Sequence, residues 1–186
     1  MAEVVHQFAN RDFYKPYWRV KYLFIGTFNP KGGKTVNYYY GRQRNQFWKL
    51  LSEIMGMKLE PNDKEEFFER IKDLGIACMD MIHSVELPDS KLEYVKGKGY
   101  SDVKIINGYS KREYNTELIN SVVERNQDVK VFSTWGKGPN LKEWRCELSK
   151  LNRYTKLVSP SMAAKVPKDE IKFDYMLRKW KETIDI

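Results

Sequence analysis

Cysteine is scarce in this chain of 186 residues: Cys78 and Cys146 are its two thiols, far apart in sequence. Two such cysteines suggest no disulfide framework, so a reducing, cytoplasmic setting is expected. They also fall short of the four ligands an iron–sulfur cluster takes. Histidine is as rare, with His6 and His83 alone. A lone histidine with no metal-site company gives no reason to expect a metal. His6 reads as part of a frayed start, and His83 as a group that could titrate. Long apolar runs are missing too. None reaches the roughly 20 residues that cross a bilayer. Met1–Asn10 carries polar residues and no apolar core of a secretory leader. There are no internal repeats, low-complexity segments or interdomain linkers. A single domain over residues 1–186 is therefore expected. A chain of this size buries roughly 70% of its unfolded surface and needs no staples.

Positive charge is what the chain has in excess. Lysine and arginine number 33 against 25 acidic residues, a net charge of +8. Such an excess favours polyanionic partners such as nucleic acid, although a merely soluble basic protein carries the same number. The cations are spread in pairs, among them Lys31 and Lys34, Arg42 and Arg44, Lys96 and Lys98, Lys111 and Arg112, and Lys165 and Lys168. With no basic tail, a charged face or groove on a folded body is expected.

Strand and helix signals alternate. Tyr22–Thr27 is a short apolar run stopped by Gly26 and Pro30, which suits a buried strand. Gln46–Met55 has helical spacing in Phe47, Leu50, Leu51 and Ile54, and Gly56 suits its end. Asn62 and Glu65 mark a second helix start, with Phe67, Phe68, Ile71 and Leu74 on one face and Gly75 as the stop. Ile76–Ile82 is a second strand. Pro88–Lys111 reads mainly as loop. Thr116–Arg125 is helical, with Asn115 as a candidate cap. Val129–Thr134 is a third strand, followed by a WGKGP turn. Asn140–Lys150 is helical, Lys156–Val158 a short fourth strand, and Lys168–Ile184 a final helix, capped near Pro167 or Ser161. This alternation argues for an α/β sandwich with a mainly parallel sheet.

One motif misleads. KGGKT at Lys31–Thr35 looks like a phosphate loop, but Phe28 stands where the pattern needs glycine and Pro30 removes a backbone N–H. The β-branched and aromatic VNYYYG follows where a helix should begin. A mobile basic loop tip, able to touch a nucleic-acid backbone, is the better reading.

Five segments taken in order carry a resemblance. GTFNP (Gly26–Pro30), YYYGRQRNQFWKLL (Tyr38–Leu51), GIACMDMIHS (Gly75–Ser84), FSTWGKG (Phe132–Gly138) and SPSMAA (Ser159–Ala164) resemble the motifs of the uracil-DNA glycosylase superfamily. They are most similar to its mismatch-specific and hypoxanthine branches. Each is weak alone and stronger in sequence. The resemblance implies a three-layer α/β/α sandwich around a central four-stranded, mainly parallel sheet. It departs in three places. Two residues separate Gly26 from Asn29, where the family usually has one, so either the loop is longer or Phe28 fills the usual catalytic slot. Arg42–Gln43 replace a common His-Pro. Ser159 opens the last motif in place of His or Asn.

The resemblance implies a monofunctional DNA glycosylase acting on a flipped uracil or hypoxanthine, with DNA holding a damaged or mismatched base as partner. No cofactor, no membrane association and a monomer are expected. Asn29 is the favoured water positioner, and an Asn-Pro turn would equally suit it. Asn45 is its rival, and could instead cap the following helix. Phe28, Tyr40 and Asp80 are base-binding candidates. Tyr40 would stack on the base, and Asp80, at a strand tip, would accept from its edge or from loop backbone. Three consecutive tyrosines, Tyr38–Tyr40, cannot all face inward. Ser159, Ser161, Met162 and Lys165 are the DNA-binding candidates: free N–H groups and a lysine for phosphates, and a methionine either wedged into the duplex or simply packed. A non-catalytic nucleic-acid binder on the same fold is the alternative.

Overall fold

The computed structural model of the protein describes residues 1–61, 63–96, 104–105, 111–134, 142–151 and 153–185. The layering follows from the second strand. β1 spans Ala2–Val5, β2 Tyr22–Gly26 and β3 Ile76–Asp80. Along β2, Leu23, Phe24 and Ile25 are each fully buried. A strand apolar on both faces needs cover on both faces. Leu23 and Ile25 join one core with Ala77, Met79 and Val131. Phe24 joins another with Ile76, Cys78 and Phe132.

β2 lies inside a four-stranded sheet. Its other strands are β3, β6 (Lys130–Ser133) and β7 (Thr155–Lys156), in the order β3-β2-β6-β7, all parallel. Helix α3 (Thr116–Arg125) covers the Leu23 face through Ile119, Val122 and Val123, and α4 (Lys142–Leu148) through Leu148. Helices α1 (Phe47–Met55), α2 (Lys64–Asp73) and α5 (Lys172–Lys181) cover the Phe24 face. There Phe24 stacks on Phe132 at 5.3 Å and lies parallel to Trp180 at 6.2 Å, with Phe47 edge-on at 5.0 Å. The α/β sandwich expected from the alternation forms, in the three layers that the resemblance implies.

Several boundaries differ, for local reasons. The apolar run after Gly75 is two strands, not one. β3 ends at Asp80, and β4 (Ile82–Leu87) turns into a separate antiparallel sheet of order β1-β4-β5, with β5 at Lys111–Tyr114. His6, expected to be frayed, directly follows β1 and is buried. Asp63 caps α2, its Oδ1 accepting from Glu65 N–H at 2.9 Å; Asn62 lies outside the described residues. Asn115 stands at the start of α3, but its side chain donates to Tyr14 Oη and the Asp80 carbonyl instead of capping. The last helix starts at Lys172 with Ile171 at its cap position, four residues later than expected, and neither Pro167 nor Ser161 caps it. Much of the Pro88–Lys111 loop and the WGKGP turn lie outside the described residues.

Replacing Phe24 with alanine removes the ring at the centre of the aromatic stack. It should cost about 3–5 kcal/mol in urea unfolding, whereas Ile171→Ala, at an exposed position, should change stability by less than ~0.5 kcal/mol.

Candidate functional site

Parallel register sets Gly26, the end of β2, beside Asp80, the end of β3. Ligands in open α/β sheets bind at these carboxyl ends of the strands. A side chain at position 26 would start 2.2 Å from Asp80 Oδ1 and 3.2 Å from Tyr40 Oη. Glycine is required here because a carboxylate and a phenol converge on the space above its Cα.

Asp80 is 3% exposed, so its charge needs donors. Oδ2 accepts from Asn29 Nδ2 at 2.7 Å and lies 2.9 Å from His6 Nε2. Phe8 N–H donates to His6 Nδ1 at 3.1 Å. A nitrogen that accepts carries no proton, so the ring proton sits on Nε2 and is donated to Asp80. The segment after β1 also braces the Asn29 loop. Gln7 N–H donates to the Asn29 carbonyl at 2.8 Å, Lys31 N–H to the Val5 carbonyl at 2.9 Å, and His6 bridges to Pro30.

The aromatic loop supplies the second wall. Tyr39 turns inward and is buried, while Tyr38 and Tyr40 are half-buried. Tyr40 sits at φ 59°, a left-handed conformation costly for a bulky residue. What holds it is contact: its ring stacks on Phe47 at 3.9 Å and 6°, and its hydroxyl lies 3.0 Å from Thr134 Oγ1. Thr134 Oγ1 gives its proton to the Ile25 carbonyl at 3.1 Å, so Tyr40 is the donor between the two. Burial pushes the Tyr40 and Tyr39 hydroxyls well above their ordinary range. Behind them, burial raises Tyr14 to about 12.

The third wall comes from the loop after β7. Asn45 pairs with Ser161 in an antiparallel bridge, and Gln46 N–H donates to the Pro160 carbonyl at 2.9 Å. The two remote loops therefore share backbone hydrogen bonds. Asn45 Oδ1 accepts from Phe47 N–H at 2.9 Å, at the entrance to α1. Ser159 Oγ accepts from Ser161 N–H at 3.4 Å and Ser161 Oγ from Ala163 N–H at 3.2 Å. The serine loop is thus internally bonded, and the Ser161 N–H is not free as expected. Met162 is 42% exposed, and its carbonyl accepts from Lys172 Nζ at 2.6 Å. Lys165 is exposed. Among the described residues, Lys31, Lys34, Arg44 and Lys165 have no carboxylate within ion-pair distance.

Asn29, Tyr40 and Asp80 thus meet above Gly26, and Asn45 meets Ser161 at the lip. Phe28 does not join them. It is 2% exposed and packs in the core with its ring 5.8 Å from His6, so Asn29 alone of that pair brings a polar group to Asp80. The stacking expected of Tyr40 is restricted, since Phe47 already covers one face. His6 and Thr134 were missed. Thr134 ends a strand that was legible, and Asp80's need for a partner was visible; nothing local tied either to its partner. Among the described residues, no three His, Cys, Asp or Glu side chains converge on a metal position, and no helix is long and apolar enough to cross a membrane.

A solution NMR structure from Methanosarcina acetivorans, described as a "putative Uracil DNA glycosylase", is similar to this chain in fold. Its TM-score is 0.54 at 17% identity, over 88% of this chain and 91% of that one. The chain has a uracil-DNA-glycosylase-like fold. At such identity the likeness extends to the fold alone. No family model and no curated protein matches the chain. On this glycosylase-like fold the Gly26 corner and the Ser161 loop lie at the same end of the parallel sheet.

Gly26→Ala forces the buried Asp80 carboxylate off its donors. The variant should lose about 1–3 kcal/mol in urea unfolding, and an unchanged midpoint would contradict the close approach described here.

Proposed function

We propose that the chain is a monofunctional DNA glycosylase that hydrolyses the N-glycosidic bond of uracil or hypoxanthine. The observation that carries this reading is the backbone pairing of Asn45 and Gln46 with Ser161 and Pro160, beside an Asn29–Asp80 pair at the ends of a parallel sheet. A base inside a duplex is out of reach and must be turned out, at a cost of a few kcal/mol that is least for damaged or mismatched pairs. Met162, apolar and exposed on an otherwise polar loop, suits the space the base vacates. Lys165 and Arg44 flank the two loops and suit the phosphates.

The flipped base would enter beside the corner where the Asp80 carboxylate and the Tyr40 hydroxyl converge over Gly26. The face of Tyr40 not covered by Phe47 would stack on it, a contact worth about 1–3 kcal/mol. Asp80 Oδ1 would accept from an N–H on the base edge. Asn29 gives its Nδ2 to Asp80, which leaves its Oδ1 to hold a water. The glycosidic bond breaks with its electron pair going to the base. The water oxygen adds to the sugar carbon, and the proton it loses passes through solvent to the base, which left as an anion. An amide is a poor base, so Asn29 acts by holding the water in line. Asn45, with Oδ1 spent on Phe47 N–H, retains its Nδ2 for the substrate. No metal or organic cofactor enters these steps, and one copy of the chain supplies every group.

The structural work done by both amides favours a second reading, a non-catalytic binder of nucleic acid on the same fold. Oligonucleotides carrying uracil, hypoxanthine, xanthine or mismatched thymine separate the two. The glycosylase reading expects abasic product from at least one, with Asn29→Ala slowing single-turnover release by about 10²-fold. No product from any at high protein concentration would reject it; salt-sensitive binding that is unchanged in Asn29→Ala would then support the binder.

A further inference from the structure

We infer that His6 is a positioning residue that fixes which end of the Asn29 amide faces outward; this rests on the role given to Asn29 above. An asparagine amide can present either its oxygen or its nitrogen at nearly the same position. Water held for attack needs the oxygen outward. The choice is made by Asp80, because a carboxylate can only accept, so it draws Nδ2 inward. The choice holds only while Oδ2 stays aimed at Asn29.

His6 holds that oxygen in place. Phe8 N–H occupies Nδ1 at 3.1 Å, so the ring can offer Asp80 only its Nε2–H, at 2.9 Å and on the same Oδ2 that holds Asn29. The chain of bonds therefore has one direction, from Phe8 through His6 to Asp80, with Asn29 donating from the other side. No water can stand in for the ring. The His6 side chain is fully buried, with Tyr14 at 5.1 Å, Phe8 at 5.4 Å, Tyr39 at 5.7 Å and Phe28 at 5.8 Å. The backbone argues the same. Residues Val5–Gln7 carry His6 and also strap the Asn29 loop, through Val5–Lys31, His6–Pro30 and Gln7–Asn29 contacts. The N-terminal segment and the water-holding amide are thereby one mechanical unit.

The experiment compares His6→Phe, which keeps a ring without the donor, with His6→Gln, whose amide nitrogen reaches about as far as Nε2. Two readouts are taken. The first is the Asn29 side-chain NH2 pair in ¹H–¹⁵N spectra, assigned by its absence in Asn29→Ala. It should shift in His6→Phe and return toward its wild-type position in His6→Gln. The second is single-turnover base release. His6→Phe should be slowed by about 10²-fold with unchanged duplex affinity, and should cause no further loss when added to Asn29→Ala. Unmoved Asn29 amide signals in a folded His6→Phe protein would overturn the inference, as would losses that add in full. If near-UV circular dichroism shows His6→Phe unfolded, the ¹⁵N shifts of the wild-type imidazole decide. A proton on Nε2 alone supports the inference; one on Nδ1 overturns it. Absence of base release from the wild type would remove the glycosylase reading and leave the amide and imidazole signals to judge the positioning.

Discussion

A carboxylate that is 3% exposed has to be met by donors, and around Asp80 the whole corner is arranged to supply them. An unmet buried charge costs several kcal/mol, more than any neighbouring contact contributes. Meeting it determines much else. Position 26 can carry no side chain. Asn29 must turn its nitrogen inward. The segment after β1 must come close enough for His6 to reach across, which ties the antiparallel sheet to the end of the parallel one. The ordered core on either side makes this possible, because β2 and β3, apolar on both faces, hold their ends rigidly in register.

The aromatic and serine loops add the walls. Tyr40 is held in a left-handed backbone conformation by a stacked Phe47 and a hydroxyl bonded to Thr134. Strain of this kind persists only where packing over-determines it. The serine loop is bonded within itself and zipped to Asn45 and Gln46, so its shape is set before any partner arrives. Loops held in this way lower the ordering cost of any binding they take part in. Among the described residues, Lys31, Lys34, Arg44 and Lys165 have no carboxylate within ion-pair distance, and such charges favour a polyanion.

Much of this was legible from residues alone. Alternating strand and helix signals pointed to an α/β sandwich, and the resemblance of the five motifs supplied its three layers and the candidates Asn29, Tyr40 and Asp80. What escaped had no local signature. His6 lies 74 positions from Asp80, and its burial depends on β1 pairing with β4, a contact that no periodicity in AEVV announces. The break inside the expected strand Ile76–Ile82 was also hidden: the run is apolar except for Asp80, and only Met81 lies between β3 and β4. Phe28 was drawn toward the site by its place in GTFNP, yet a phenylalanine beside an apolar core is claimed by packing first.

The central claim is that loops remote in sequence form one cleft for an extruded nucleotide. Backbone ¹H–¹⁵N spectra, recorded while titrating in a DNA duplex with a tetrahydrofuran abasic site, test it most directly. The account predicts that the largest shifts fall together on Gly26, Asn29, Tyr40, Asn45, Ser159, Ser161 and Met162. Shifts confined to the opposite end of the sheet, around Lys21, Arg125 and Asp128, would contradict it.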